Sequence, residues 1–284
     1  MSLNNFIPSV WSGMILAALM KSHVFGSEGV ISRDYEGEIT GKGDSVKINS
    51  IGDVTVKDYT KNSNIDAPET LDDADQILVI DQQKYFNFQI DDIDTAQQNP
   101  KVMGEATSRA GYSLKDTLDT FLASLYTDIA SGNFIGSDAS PTAITTAALA
   151  YENLVDLGVL LDESDVPSDG RFVVVPPWYE GRMLKDERFV SFGTQGNADT
   201  LANGVIGRAA GFTVYKSNNI NVASSTKWHI IGGHKMGWNL AEQIVKVEGF
   251  RPEARFADAI KGLHVYGAKV TRPTALACLV ASKS

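Results

Sequence analysis

The sequence predicts an α+β fold organised around one long helix, with an extended hairpin ahead of it. Three observations predict it. Before residue 94, apolar and polar residues alternate in several segments, the period of a half-buried strand. From Val102 to Ile129 apolar residues recur at three- and four-residue steps, the period of an amphipathic helix. Beyond residue 141 helical and strand patterns alternate before the chain returns to strands, the order of an α+β body around a central sheet.

The chain divides into five zones. Residues 1–32 form an N-terminal arm whose apolar stretch, residues 10–20, reads as a short helix that must dock on something. No Lys or Arg precedes that stretch, so it lacks the positive flank of a signal peptide. Residues 33–94 read as an extended β-hairpin and the strands that lead out of it. The segment Ser45-Val46-Lys47-Ile48-Asn49-Ser50-Ile51 alternates polar and apolar residues there, Gly52-Asp53 punctuates, and residues 54–59 resume the alternation. A polar tract over 60–76 follows, then strands at 77–80 and 85–90. In the last of these Phe86, Phe88 and Ile90 share one face, which seeks a partner. A two-stranded excursion of this length has no core of its own and needs a body or a neighbouring chain to lie on.

Residues 95–140 hold the spine. Asn99-Pro100 is a start signal, with Asn as cap and Pro at the first helical position. Val102, Ala106, Ala110, Leu114, Leu118, Leu122, Leu125 and Ile129 form one face, and Lys101, Glu105, Arg109, Lys115, Asp116 and Asp119 are expected off it. Ser131-Gly132-Asn133 is the stop. Residues 141–244 read as the α+β body: a helix over 142–161, an acidic turn over 162–170, and a fully buried strand over 171–175 stopped by Pro176-Pro177. A helix from Trp178 and strands at 211–215 and 228–232 complete it. Residues 245–284 return to strands, at 261–270 and 275–280.

Composition narrows the function. Apolar residues make up 43%, which excludes a disordered or collagen-like chain. The single cysteine, Cys278, excludes a disulfide within the chain. Twenty-five Lys and Arg face 35 Asp and Glu, a net charge of −10 with no basic cluster. That balance disfavours adhesion to nucleic acid, yet allows a place beside DNA without sticking to it. No segment approaches the run of about 18 apolar residues that spans a membrane.

The search for chemistry returns no catalytic, cofactor or metal site. None of His23, His229, His234 and His264 has a zinc-ligand spacing. Residues 232–237 have the glycine spacing of a P-loop, but Trp238 and Asn239 stand where Lys and Ser or Thr would be needed. Cys278 lies in an apolar strand and reads as a small hydrophobe. The carboxylates around Asp72 and Asp92 lack the glycine of a calcium loop. Tyr85, Phe86 and Phe88 read as packing anchors, since no basic run accompanies them.

The order arm, extended hairpin, spine helix, α+β body and returning strands resembles the tailed-phage major capsid proteins, whose fold is that of the Hong Kong phage capsid. Arg33-Asp34-Tyr35-Glu36-Gly37-Glu38-Ile39 and Gly43-Asp44-Ser45-Val46-Lys47-Ile48-Asn49 are similar to the start of that family's extended loop. Residues 80–92, 211–219 and 267–273 resemble later family segments. The resemblance covers nearly the whole chain and implies an architectural role. Arm and loop would reach over neighbouring subunits, with Trp11, Lys42, Lys47, Lys57 and Tyr59 as candidate inter-subunit contacts. The spine and terminal strands would form the peripheral domain, and the body the axial domain. Copies would gather as pentamers and hexamers into an icosahedral shell around double-stranded DNA, in a virion assembled in the bacterial host cytoplasm. Scaffolding, portal and decoration proteins would be further partners. An encapsulin-like compartment shell and a hydrolase with dispersed carboxylates are the alternative readings. No motif for covalent cross-linking through the loop lysines is matched.

Overall fold

The computed structural model describes residues 24–34, 45–51, 58, 59, 61, 64, 73–91, 101–186, 207–253 and 256–283. Among them the strands are β1 (Ser45–Ile51), β2 (Asp73–Val79), β3 (Gln82–Asp91), β4 (Phe134–Ile135), β5 (Thr142–Ala143), β6 (Arg171–Val175), β7 (Arg208–Ala209), β8 (Phe212–Lys216), β9 (Val222–Ala223), β10 (Lys227–His234), β11 (Trp238–Phe250), β12 (Ala257–Val270) and β13 (Leu276–Ser282). The α-helices are α1 (Lys101–Ser124), α2 (Ala147–Glu163) and α3 (Pro177–Met183). They build three sheets. β1 and β2 pair antiparallel, β11-β12-β3 form an antiparallel sheet, and β4-β13-β10-β6-β8-β7 form the central one, joined by β5 on β13 and β9 on β10.

The central sheet is covered on both faces, which explains why β6 and β13 read as unbroken apolar runs. Phe172 and Val174 of β6, with Leu276, Cys278 and Val280 of β13, face the spine and the root of the arm. Val173 and Val175, with Ala277, Leu279 and Ala281, face α2 and α3. On α1, Leu118 and Leu122 are fully buried and Leu114 nearly so. Full burial of one such leucine contributes about 2 kcal/mol. The ring of Phe121 meets Tyr266 of β12 edge-on at 5.5 Å, which ties the spine to the three-stranded sheet. The neighbouring β12 residue, Val265, points the other way, into a small cluster with Ile48, Leu78 and Ile80.

The root of the arm is stapled to its own chain. Phe25, Val30 and Ile31 are fully buried in the core under the spine. Asp119 accepts hydrogen bonds from the backbone N–H groups of Val24 (3.1 Å) and Gly26 (3.3 Å). The Trp238 indole donates to the Val30 carbonyl at 2.7 Å. Ser32 bridges in parallel to Asn239, and Arg33 forms an ion pair with the largely buried Glu242.

Several expectations change. Asp119 was expected off the buried face of the spine, yet it is fully buried, because the arm brings two backbone donors to it. The α-helix stops at Ser124, short of Ile129, and gives way to a 3-10 turn over Leu125–Asp128. Thr117, Thr120 and Ser124 bond back to carbonyls of the preceding turn, which loosens the helical ladder there. The helix expected from residue 142 begins at Ala147, capped by Thr146, because Thr142–Ala143 is drawn into the sheet beside β13. β11 runs 13 residues through the expected boundary at 244/245, where its register with β12 shifts. The cap at Asn99 and the strand at 54–57 lie outside the described residues.

Two glycines and one histidine yield predictions. A Cβ on Gly267 would lie 2.4 Å from the Val79 carbonyl oxygen and 2.9 Å from Ile80 Cα, so β12 and the β2–β3 corner touch backbone to backbone. Gly267→Ala is expected to cost about 2 kcal/mol in urea unfolding. Gly181→Ala, where nothing lies within 4 Å, is expected to be neutral or mildly stabilising.

His234 uses Nδ1 to accept from Met236 N–H at 3.2 Å, a role open only to the neutral ring. Burial, then the Lys235 and Arg171 cations, hold its pKa below the ordinary value. Its contribution is therefore complete above about pH 6.5 and is lost as pH falls toward the folded pKa. Melting temperature is expected to fall on acidification through that window, and less so in His234→Asn.

Candidate assembly surface

Three surfaces stand out, and none has the build of an active site. The first is the hairpin. β1 and β2 pair from Ser45↔Val79 to Ile51↔Asp73, and their alternation gives the ribbon two faces. Val46, Ile48 and Leu78 turn inward, and Ile48 and Leu78, with Ile80 just beyond, rest on Ala241 and Val265. The Lys269 ammonium donates to the Ile77 carbonyl, and the Gln76 amide to that of Thr271, which pins the ribbon's base. The base thus has a small core with its own subunit, more than the sequence led one to expect. Its outer face carries exposed Lys47, Ile77 and Val79.

The second surface is β3. It is the outer strand of its sheet, bonded to β12 along ten paired positions, with no strand on its other side among the described residues. Such an edge offers unpaired backbone donors and acceptors to another chain. Phe86 and Phe88 stack at 6.1 Å on the spine side, and Phe86 lies over Gly262, where a side chain would collide with the ring. Between this face and Arg109, Ala110, Ser113, Leu114 and Thr117 of the spine runs an open groove of about 700 Å³. Tyr85 projects from the opposite face, 78% exposed, above a second hollow bounded by Glu248 and Lys261.

The third is the far end of the β11–β12 ribbon, where Phe256 is 81% exposed beside a partly exposed Phe250. Exposed aromatic side chains grouped beside a free edge mark interaction surfaces.

Of the sequence candidates, Lys47 stands exposed on β1 and Tyr59 is 70% exposed. Trp11, Lys42 and Lys57 lie outside the described residues. Sequence reasoning missed Phe250 and Phe256; the only signal was their place around an Arg-Pro pair between two strands.

The groups that chemistry would need are engaged in structure. His229 stacks on Tyr126 at 3.8 Å and bonds Asp138 through Nε2 at 2.9 Å. Cys278 is buried, and burial, with the Asp138 carboxylate adding to it, pushes its thiol up. Such a thiol is not poised as a nucleophile. Among the described residues no three His, Cys, Asp or Glu gather as a metal site. No described helix is long and apolar enough to cross a membrane.

A family model described as phage capsid protein matches residues 75–279. The chain belongs to this family. A solved structure from Mycobacterium phage Che8 is 30% identical, with a TM-score of 0.74 over 91% of each chain. The capsid of cyanophage P-SCSP1u is 17% identical, with a TM-score of 0.69 over 89% of this chain and 86% of that one. The mature capsid of bacteriophage PhiM1 is 16% identical, with a TM-score of 0.64 over 92% and 87%. Below 25% identity the likeness shows the fold, which is the phage major capsid fold. No curated protein matches the chain. The capsid protein is thus a structural subunit and not an enzyme, its place is the virion capsid, and capsid shells of this family are assembled from many copies.

Proposed function

We propose that the capsid protein closes, as pentamers and hexamers, into an icosahedral shell around double-stranded DNA, assembled in the cytoplasm of a bacterial host. The free edge of β3 with the groove beside the spine is the observation that carries this reading, since a ten-residue edge lined by aromatic rings is a receiving surface. Residues 33–94 would supply what lies on a neighbour, with Lys42, Lys47, Lys57 and Tyr59 at the contacts. Residues 1–32 would extend the same reach through Trp11 from the staple at Asp119. Residues 95–140 and the returning strands would form the peripheral domain, and 141–244 the axial domain around the symmetry axes. The net charge of −10 suits a lining along which packed DNA slides. Scaffolding, portal and decoration proteins would be further partners.

Sedimentation velocity of the purified chain, with negative-stain microscopy of the fast fraction, tests the reading. Closed shells or rings of five and six are expected. A monomer that stays inert with its scaffold and a crowding agent would overturn it.

A further inference from the structure

The groove between β3 and the spine carries charge of one sign. Lys84, Phe86 and Phe88 alternate onto one face of β3, opposite His264, Gly262 and Ile260 of β12. Lys84 and Arg109 are both exposed, and no Asp or Glu is among the residues that line the groove. Stacked rings with two cations, beside a free strand edge, suit an extended segment that is apolar and acidic.

Residues 62–72 of the hairpin have that character. They hold Asp66, Glu69 and Asp72 with Ile65 and Leu71, and no Lys or Arg. The other limb, residues 52–61, is balanced, with Asp53 and Asp58 against Lys57 and Lys61. Residues 1–23 of the arm hold no Asp or Glu, which sets the arm aside.

A copy's hairpin is turned away from its own groove. At their common corner Val79 and Ile80 touch Gly267 of β12. From there the ribbon runs along β12 toward Thr271, with the Lys269 ammonium donating to the Ile77 carbonyl and the Gln76 amide to that of Thr271. β3 runs the other way, from Gln82 opposite Tyr266 to Asp91 opposite Ala257. The ribbon rests on the face of the sheet that carries Val265, and the groove lies on the spine face. Going back from Asp73 to Phe86 covers about 35 Å of sheet. Residues 52–72, doubled on themselves, reach about 35 Å at most. None of that reach is left to round the sheet's edge and lie along the rings, so the segment comes from another copy.

We propose that residues 62–72 of one copy lie in the β3–spine groove of another, with the carboxylates of Asp66, Glu69 and Asp72 on Lys84 and Arg109, and Ile65 and Leu71 on the rings. The inference rests on the shell reading and names the segment and the chemistry of one contact within it.

Carbodiimide coupling of particles assembled from equal parts of unlabelled and 15N-labelled parent chain, read by mass spectrometry, tests it. An amide between Lys84 and a carboxylate of residues 62–72, joining a labelled to an unlabelled peptide, is expected in the fast-sedimenting fraction and not in monomer. Sedimentation velocity then compares K84E, the loop variant D66K/E69K/D72K, and the loop variant combined with K84E/R109E. K84E and the loop variant are each expected to lower the yield of shells about 10-fold or more with unchanged melting, and the combination to recover it. Lys84 is exposed, so the K84E result stands even where R109E fails to fold. Lys84 coupled only within its own copy, or parent-like assembly of K84E, would overturn the contact while particles still form. No particles from the parent would instead overturn the shell reading itself.

Discussion

Replacing residues 52–72 with a short Asn-Gly turn is expected to abolish particles and leave a folded, soluble subunit. The ribbon below the cut keeps its seven paired positions, and Asn-Gly suits a tight hairpin turn. Val46, Ile48 and Leu78 stay buried, the last two against Ala241 and Val265, so the contacts of the ribbon's base with the body are kept. On the shell reading, what is lost is reach toward the neighbour. A contact worth about 3 kcal/mol changes association more than 100-fold, and a shell multiplies each contact by the number of copies. Circular dichroism and melting should therefore match the parent while the fast-sedimenting fraction disappears. Global unfolding of the variant would mean that the hairpin serves its own core. Undiminished shells would mean that it serves no contact.

Asp119→Ala is expected to destabilise the subunit by about 3 kcal/mol in urea unfolding. The carboxylate is fully buried and holds two backbone N–H groups of the arm. Hydrogen bonds to a charged acceptor contribute about 1.5–3 kcal/mol, and the substitution also strands both donors. Asp119→Asn keeps one acceptor oxygen and should cost less. Faster proteolysis near residues 24–34 should accompany the loss, because Phe25, Val30 and Ile31 then depend on packing, on the Trp238–Val30 bond and on the contacts of Ser32 and Arg33. A cost below about 1 kcal/mol for Asp119→Ala would contradict the staple.

The regular parts of this fold were legible because their periods were. β6 reads as a core strand from five consecutive residues ended by two prolines, and it is buried throughout. Leu114, Leu118 and Leu122 mark the buried face of the spine at four-residue steps, and the structure buries all three. The misses share a cause. Asp119 follows Leu118 directly on the flank of that face, and only the return of the arm, 93 to 95 residues earlier in the chain, turns a surface position into a buried acceptor. Thr142 favours strand and Ala143 helix, so local propensity pulls both ways and their pairing with Ala281 and Ser282 decides. β11 is obscured because its bulge near Val245 breaks the alternation that would have announced it.

The assembly surface was half legible. The shared face of Phe86 and Phe88 was visible as a period of two, but Gly262 opposite Phe86 is a cross-strand relation that no local pattern carries. The unmatched donors of Trp178 and Arg182 were invisible for a different reason. No acceptor stands against them among the described residues, and only the packed structure reveals that.

A cryo-electron microscopy reconstruction of the assembled particle tests the central claim most directly. The account predicts that each copy's hairpin, beyond the base at Ile51 and Asp73, lies on the β3–spine groove of another copy. A hairpin folded back over its own subunit, with that groove open to solvent in the closed shell, would contradict it.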